Sequence, residues 1–251
     1  MRYLFNQLLL FLTATLFMSC AADGSGNIIK AEKNIPAFHS VVFESQGLMN
    51  IDFGDEQKVE ISIDDNLMDS ITTKVHGDVL YIGNNNGIFS TKLVVNITMP
   101  VLKKIELSGE GNISVIGSVT NDQLTVILDG AGSIDFHGNL KSLIVSLSGS
   151  GIVNGDVNLE KGNFQISGSG SIMIKGSAKE STVGINAMGN FLGKDFHSDT
   201  AYVEIWGNGS CEIEVSEKLK SKIMGTGNIK VKGEPKFDNN IIGPGQVIQI
   251  K

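Results

Sequence analysis

Cysteine is almost absent from this chain: 2 in 251 residues, at Cys20 and Cys211. That excludes a disulfide framework and every zinc site built on paired cysteines. Proline is scarce too, at 4, so little in the chain interrupts regular backbone pairing. Aromatic residues make up 6%, with Trp206 the single tryptophan. Few residues are therefore available for stacking on bases or sugar rings. Positive charge is the minority sign, 20 Lys+Arg against 27 Asp+Glu, for a net charge of −7. An acidic surface cannot neutralise a phosphate backbone, so a nucleic-acid partner is not expected. Apolar runs are short everywhere except at the N-terminus. Histidine numbers 4, and residues 39, 76, 137 and 197 are far apart. His-Glu-x-x-His, Cys-x-x-Cys, the P-loop and the nucleophile elbow are all missing. No cofactor or metal site is expected.

The N-terminal run has a purpose of its own. Arg2 supplies a positive start, Leu8 to Phe17 an apolar stretch, and Phe17-Met18-Ser19-Cys20 follows. The stretch is short for a membrane span and has the order of an export signal. A small residue before a cysteine at this place resembles a bacterial lipobox. We read residues 1–19 as a lipoprotein signal peptide, Cys20 as the acylated residue, and 20–26 as a tether. Two or more acyl chains hold a protein stably at a membrane. Loss of Arg2 with the signal peptide takes the net charge from −7 to −8.

Glycine is abundant, at 30 residues, and it is ordered in sequence. Gly109-Glu-Gly111, Gly130-Ala-Gly132, Gly149-Ser-Gly151, Gly168-Ser-Gly170, Ala187-Met-Gly189, Gly207-Asn-Gly209, Gly225-Thr-Gly227 and Gly243-Pro-Gly245 recur at steps of 18 to 21 residues. A period near 20 marks a solenoid. Two positions before each copy stand Leu107, Leu128, Leu147, Ile166, Ile185, Ile205, Ile223 and Ile241. Four after stand Ile113, Ile134, Val153, Ile172, Phe191, Cys211, Ile229 and Val247. Apolar residues also favour the positions four before and six after. Spacing of two on each side means strands, so each repeat holds two short strands with the glycine pair as the corner between them. Glycine suits a corner because it accepts positive φ and lets the next coil approach closely.

This pattern predicts an all-β fold, a parallel β-helix over 108–251. The paired inward positions do not fit a left-handed hexapeptide helix, and parallel crossovers favour a right-handed path. The polar residues before the corner, Ser108, Asp129, Ser148, Ser167 and Asn186, are expected to form a side-chain ladder between coils. Glu204 with Lys222, Glu212 with Lys230, and Glu214 with Lys232 are expected to pair across coils. Residues 27–107 are β-rich but irregular, with strands at Ser40–Phe43, Asn50–Phe53, Lys58–Ile63, Ile71–Val75, Val79–Ile82 and Leu93–Thr98. Gly77 lies in a hairpin turn and 83–87 in a loop. This portion is either the first part of the solenoid or a cap on its open end. The C-terminus ends on a strand at Gln246–Lys251, covered by a partner copy or by a Pro235–Asn240 loop, so this end is a candidate homo-oligomer contact.

The Gly-Ser-Gly-Ser-Ile, Gly-Thr-Gly-Asn-Ile and Gly-Glu-Gly-Asn-Ile strings behind a lipobox resemble the auto-transporter adhesin, head GIN domain family of Bacteroidetes envelope proteins. The similarity covers about residues 35–245. It implies a β-helix-like fold, an envelope location and an adhesive role, and it carries no catalytic or ligand residues. That host group also glycosylates exported proteins at Asp-(Ser/Thr)-apolar, which implies Ser70 and Thr200 as acceptors.

The best polar cluster is Asp135, His137, Asn154 and Asp156, on neighbouring outward positions of two coils. β-Helix lyases and glycosidases place acids and bases on such a face, but the sugar-binding basic and aromatic residues are few. Cys211 sits in an inward column as a small apolar residue. The expected function is a non-catalytic binding or adhesion module on an outer-membrane lipoprotein, facing the periplasm or the cell surface, with a glycan or an envelope protein as ligand. The alternatives are a carbohydrate-active β-helix enzyme and a structural or signalling module of the envelope.

Overall fold

The computed structural model describes residues 23–84 and 93–250. Cys20, the signal peptide and most of the expected 83–87 loop lie outside the described residues.

The chain is built from strands. β1 (Ile28–Glu32), β2 (Ser40–Glu44), β3 (Leu48–Phe53) and β4 (Lys58–Asp64) are followed by a 3-10 helix at Asp65–Ser70. Next come β5 (Ile71–His76), β6 (Val79–Asn84), β7 (Val94–Met99), β8 (Lys104–Leu107), β9 (Asn112–Val115) and β10 (Gln123–Leu128). Five long strands follow: β11 (Ser133–Leu147), β12 (Ile152–Ile166), β13 (Ser171–Ala187), β14 (Asn190–Gly207) and β15 (Ser210–Gly225). The chain closes with β16 (Asn228–Lys232), β17 (Lys236–Ile242) and β18 (Gln246–Ile250). All six strands expected in the first portion are present. β1 was not anticipated, because its residues Ile28-Ile29-Lys30-Ala31-Glu32 show no alternation of apolar and polar side chains.

From β8 onward all pairings are parallel, and the coils stack into a β-solenoid of about 8 turns. The inward columns meet in register: Ile134 lies beside Val153 and Leu147 beside Ile166. Both members of each pair are fully buried. Each such side chain contributes about 1.5–3 kcal/mol by leaving water. One apolar core runs unbroken from Phe38 to Val231. Within it Phe164, Phe191 and Phe196 pack with ring centroids 5.0 to 6.3 Å apart, filling the room left by Gly162 and Gly193.

The corners are close contacts between backbones. A Cβ on Gly149 would collide with the carbonyl oxygen of Gly130, and one on Gly168 with that of Gly149. The second glycine of a corner donates its N–H to the corner below, as in Gly170 to Gly149 O at 3.1 Å and Gly227 to Gly207 O at 3.0 Å. Among the eight repeated corners, positive φ falls in the later copies, at Ala187, Gly207, Gly225 and Gly243.

Four expectations need correction. The first and last coils hold short strands with breaks between them, as expected, at β8 to β10 and β16 to β18, but the middle coils do not. β11 to β15 each run from one glycine corner to the next without interruption, turning the second corner as continuous strand. In β12 that corner is two successive outward residues, Glu160 and Lys161, after which Gly162 restores the inward phase. Second, the residues before the corner pair through their backbones: Ser148 N–H donates to Leu128 O and Ser167 N–H to Leu147 O. The side-chain ladder forms just after the corner, where Ser133 donates to Asn112 at 2.8 Å and Ser210 to Asn190 at 2.6 Å. Third, Lys222–Glu204 at 2.7 Å and Lys232–Glu214 at 2.8 Å are ion pairs. Glu212 and Lys230 stand in register without an ion pair among the described residues. Fourth, 236–240 is part of strand β17 and not a loop, so it extends the solenoid, and among the described residues no further strand covers β17 or β18.

The first portion joins the same stack in a different order. β2 lies parallel between β6 and β8, and β3 parallel between β7 and β9. Ser45-Gln46-Gly47 is thus another corner, stacked on Gly109: a Cβ on Gly109 would stand 2.7 Å from Ser45 O. Beyond β6 and β7 the direction reverses. β5 pairs antiparallel with β6 through the two-residue Gly77-Asp78 turn, with Gly77 at φ +64. β4 pairs antiparallel with β7, and β1 with β4. These strands close the N-terminal end of the core.

Candidate binding groove

The outward side chains after each corner form columns down one sheet. In the upper part they read Ser114 on β9, Asp135 and His137 on β11, Asn154 and Asp156 on β12, and Met173 and Lys175 on β13. Strand register places Asp135 beside Asn154 and His137 beside Asp156. All four residues of the sequence-derived cluster therefore meet, and they line one groove of about 580 Å³.

Its floor is an inward column with a gap. Gly155 stands where neighbouring coils carry Phe136 and Ile174, and both of those side chains lean into its space, at 3.0 and 2.8 Å from where a Cβ would be. One wall is Ile116, 56% exposed, and the other is Met173, 42% exposed. Asn154 Nδ2 donates to Asp135 Oδ1 at 2.7 Å, which orients that carboxylate. Among the described residues, the side chains of His137 and Asp156 make no hydrogen bond or ion pair and face solvent. A smaller hollow of about 180 Å³ continues from Met173 and Lys175 to Leu192 and Glu212. The face thus offers carboxylates, an amide, an imidazole and a lysine between apolar walls. That chemistry suits polar ligands with apolar edges. Among the described residues no group of three or more His, Cys, Asp or Glu gathers to hold a metal.

Sequence reasoning missed Ile116, Met173 and Lys175. Met173 and Lys175 occupy the same outward columns as Asp135 and His137, one coil beyond Asn154 and Asp156, so extending the column reading would have found them. Ile116 could not be found that way, because it takes its place as the chain leaves β9.

A second cluster lies on the opposite sheet, around Trp206. Tyr202 Oη donates to Glu204 at 3.1 Å, and Lys222 Nζ lies 4.5 Å from the Trp206 ring centre. Hydrogen bonds from Lys222 above all, then from Trp206 and Tyr202, hold the Glu204 carboxyl below the usual range against the opposing effect of burial. The signal for this cluster was the break of the polar column at Trp206.

The remaining candidates are scattered. Ser70 ends the 3-10 helix, half-buried beside exposed Asp69. Thr200 is half-buried within β14, its hydroxyl 3.4 Å from Lys179 O. Cys211 is buried in β15, and burial pushes its thiol far up, as expected for an inert core residue. Among the described residues no helix is long and apolar enough to cross a membrane.

Parallel coils with repeated corners, one continuous core and variable outward columns define a β-solenoid repeat protein. The family model described as "Putative auto-transporter adhesin, head GIN domain" matches residues 37–161 and 141–235. The chain belongs to that family. Among solved structures it is similar to a putative adhesin from Parabacteroides merdae, at 24% identity and a TM-score of 0.85, covering 91% of this chain and 98% of that one. It is also similar to a putative lipid binding protein from Parabacteroides distasonis, at 22% identity and a TM-score of 0.87, covering 92% and 99%. A putative adhesin from Bacteroides fragilis matches at 20% identity and a TM-score of 0.67, covering 90% and 98%. These likenesses show the shared fold. No curated protein matches the chain.

Proposed function

We propose that this chain is a lipid-anchored protein of the cell envelope whose solenoid is a non-catalytic binding module. Its ligand is a glycan or an envelope protein, held in the groove over Asp135, His137, Asn154 and Asp156. The groove is the observation that carries the reading, because it gathers polar groups between two apolar walls. The lipobox at Cys20 and the family's adhesin description support the envelope setting.

A screen of residues 21–251 against glycans and envelope proteins tests it. A ligand found this way loses affinity about tenfold or more in Asp135→Ala with His137→Ala, and keeps it in Lys220→Ala on the other sheet. Unchanged binding in the double variant would sink the groove reading. Cleavage of a bound glycan would favour the carbohydrate-active alternative.

A further inference from the structure

We propose that two copies of this chain join end to end through their C-terminal coils, forming a closed dimer with two-fold symmetry. The observation is an open end. β17 pairs with β15 on one side only and β18 with β16 on one side only. All seven residues of β17 are exposed. Along both strands the outer row of backbone N–H and C=O groups has no strand partner among the described residues, and such edges recruit another strand.

The side chains at this end repeat the problem. Phe237 and Ile241 continue the inward columns of Leu219 and Ile223, yet they are 38% and 40% exposed where the earlier members are fully buried. Ile242 and Ile248, on the outward face, are exposed as well. The core ends in water.

The geometry points to a second copy as the occupant. A partner has to engage both sheet edges at once, at a separation set by this chain's own core, and meet its apolar columns in line. Another C-terminal coil of the same chain meets all three conditions. β17 carries Lys236 and Asp238 and so no net charge to repel its copy. Asn239 occupies an inward position, its Oδ1 accepting from buried Ser221 at 2.7 Å. Among the described residues its amide N–H groups donate to no acceptor, and a copy of the chain supplies one in the same amide. The assembly stops at two. The N-terminal end presents different edges: β5 and β1 are also paired on one side only, but they run antiparallel to their neighbours instead of continuing the parallel coil, so a C-terminal coil meets its like only in a second C-terminal coil. A self-complementary contact of this kind closes at two.

Sedimentation of residues 21–251, which hold every described strand, over a dilution series tests this. The expected mass is twice that of one chain at high concentration, falling to one chain on dilution. Phe237→Lys and Ile241→Lys each weaken the dimer about tenfold or more, with unchanged circular dichroism. Met188→Lys, exposed on the flank of the solenoid, leaves it intact. Amide exchange on the unsubstituted chain gives a second measurement, with protection over 236–242 and 246–250 that drops on dilution. A single-chain mass throughout overturns the proposal. So does a dimer that survives both lysine variants, or assembly that grows past two chains.

Discussion

At the residue scale, the glycines of the corners have a mechanical role. Gly170 donates its N–H to Gly149 O at 3.1 Å. A Cβ there would run into the Gly151 carbonyl and stand 2.9 Å from the Leu147 side chain. The carbonyl is backbone held by its own ladder and cannot give way cheaply. Gly170→Val is therefore expected to cost about 3 kcal/mol or more, or to abolish folding. Thermal and denaturant unfolding measure this, and a variant as stable as the parent contradicts it. Asp135→Ala, on the exposed face, should leave the unfolding midpoint almost unchanged. The corners from Gly109 onward were legible in the sequence because each demands the same small residue at the same spacing. The corner at Ser45-Gln46-Gly47 was not, because serine replaces the first glycine and only the stacking partner, Gly109, reveals the match.

At the scale of the strands, β14, β15 and β16 are tied by the Glu204–Lys222 and Glu214–Lys232 pairs. Lys232 chiefly, then His197, holds the Glu214 carboxyl low, as Lys222 does for Glu204. A carboxylate depressed in the folded state adds stability that is complete above its unfolded value, near 4.3. That stability is lost as pH falls through the folded value. The melting temperature should accordingly drop in acid. In a Glu204→Gln, Glu214→Gln double variant it should start lower and fall less steeply over the same window. Equal slopes for parent and variant would show that these pairs do not couple the coils. The charge columns were readable from sequence because a constant 18-residue step keeps Glu over Lys. β14 shows where such reading fails. Its coil is longer than the next, and the surplus appears as register shifts around residues 193–199, as bulges do.

At the scale of the whole molecule, the described chain begins three residues after Cys20, next to the capped end of the solenoid. Acylation of Cys20 would hold that end at the membrane, with the groove beyond it and the open coil at the far tip. Expression with a labelled fatty acid should mark the protein and place it in the membrane fraction, whereas Cys20→Ala should remain unlabelled and soluble. Label retained in that variant would remove the anchor from the model of function.

The sequence by itself determined the repeat, the corners, the inward columns and the strand-rich character of the first portion. Those features are local: a side-chain period of two and a glycine at each bend are enough to define them. It also brought Asp135, His137, Asn154 and Asp156 together, because parallel in-register coils turn sequence period into spatial neighbourhood. Only the tertiary structure decided that β2 and β3 insert between later strands, that the cap runs antiparallel, that Ile116 and Met173 wall a groove, and that among the described residues β17 and β18 keep one unpaired edge. Each of these depends on which strand edges meet and in which direction, and a strand's own residues specify its faces while leaving its neighbours to the packing of the whole core.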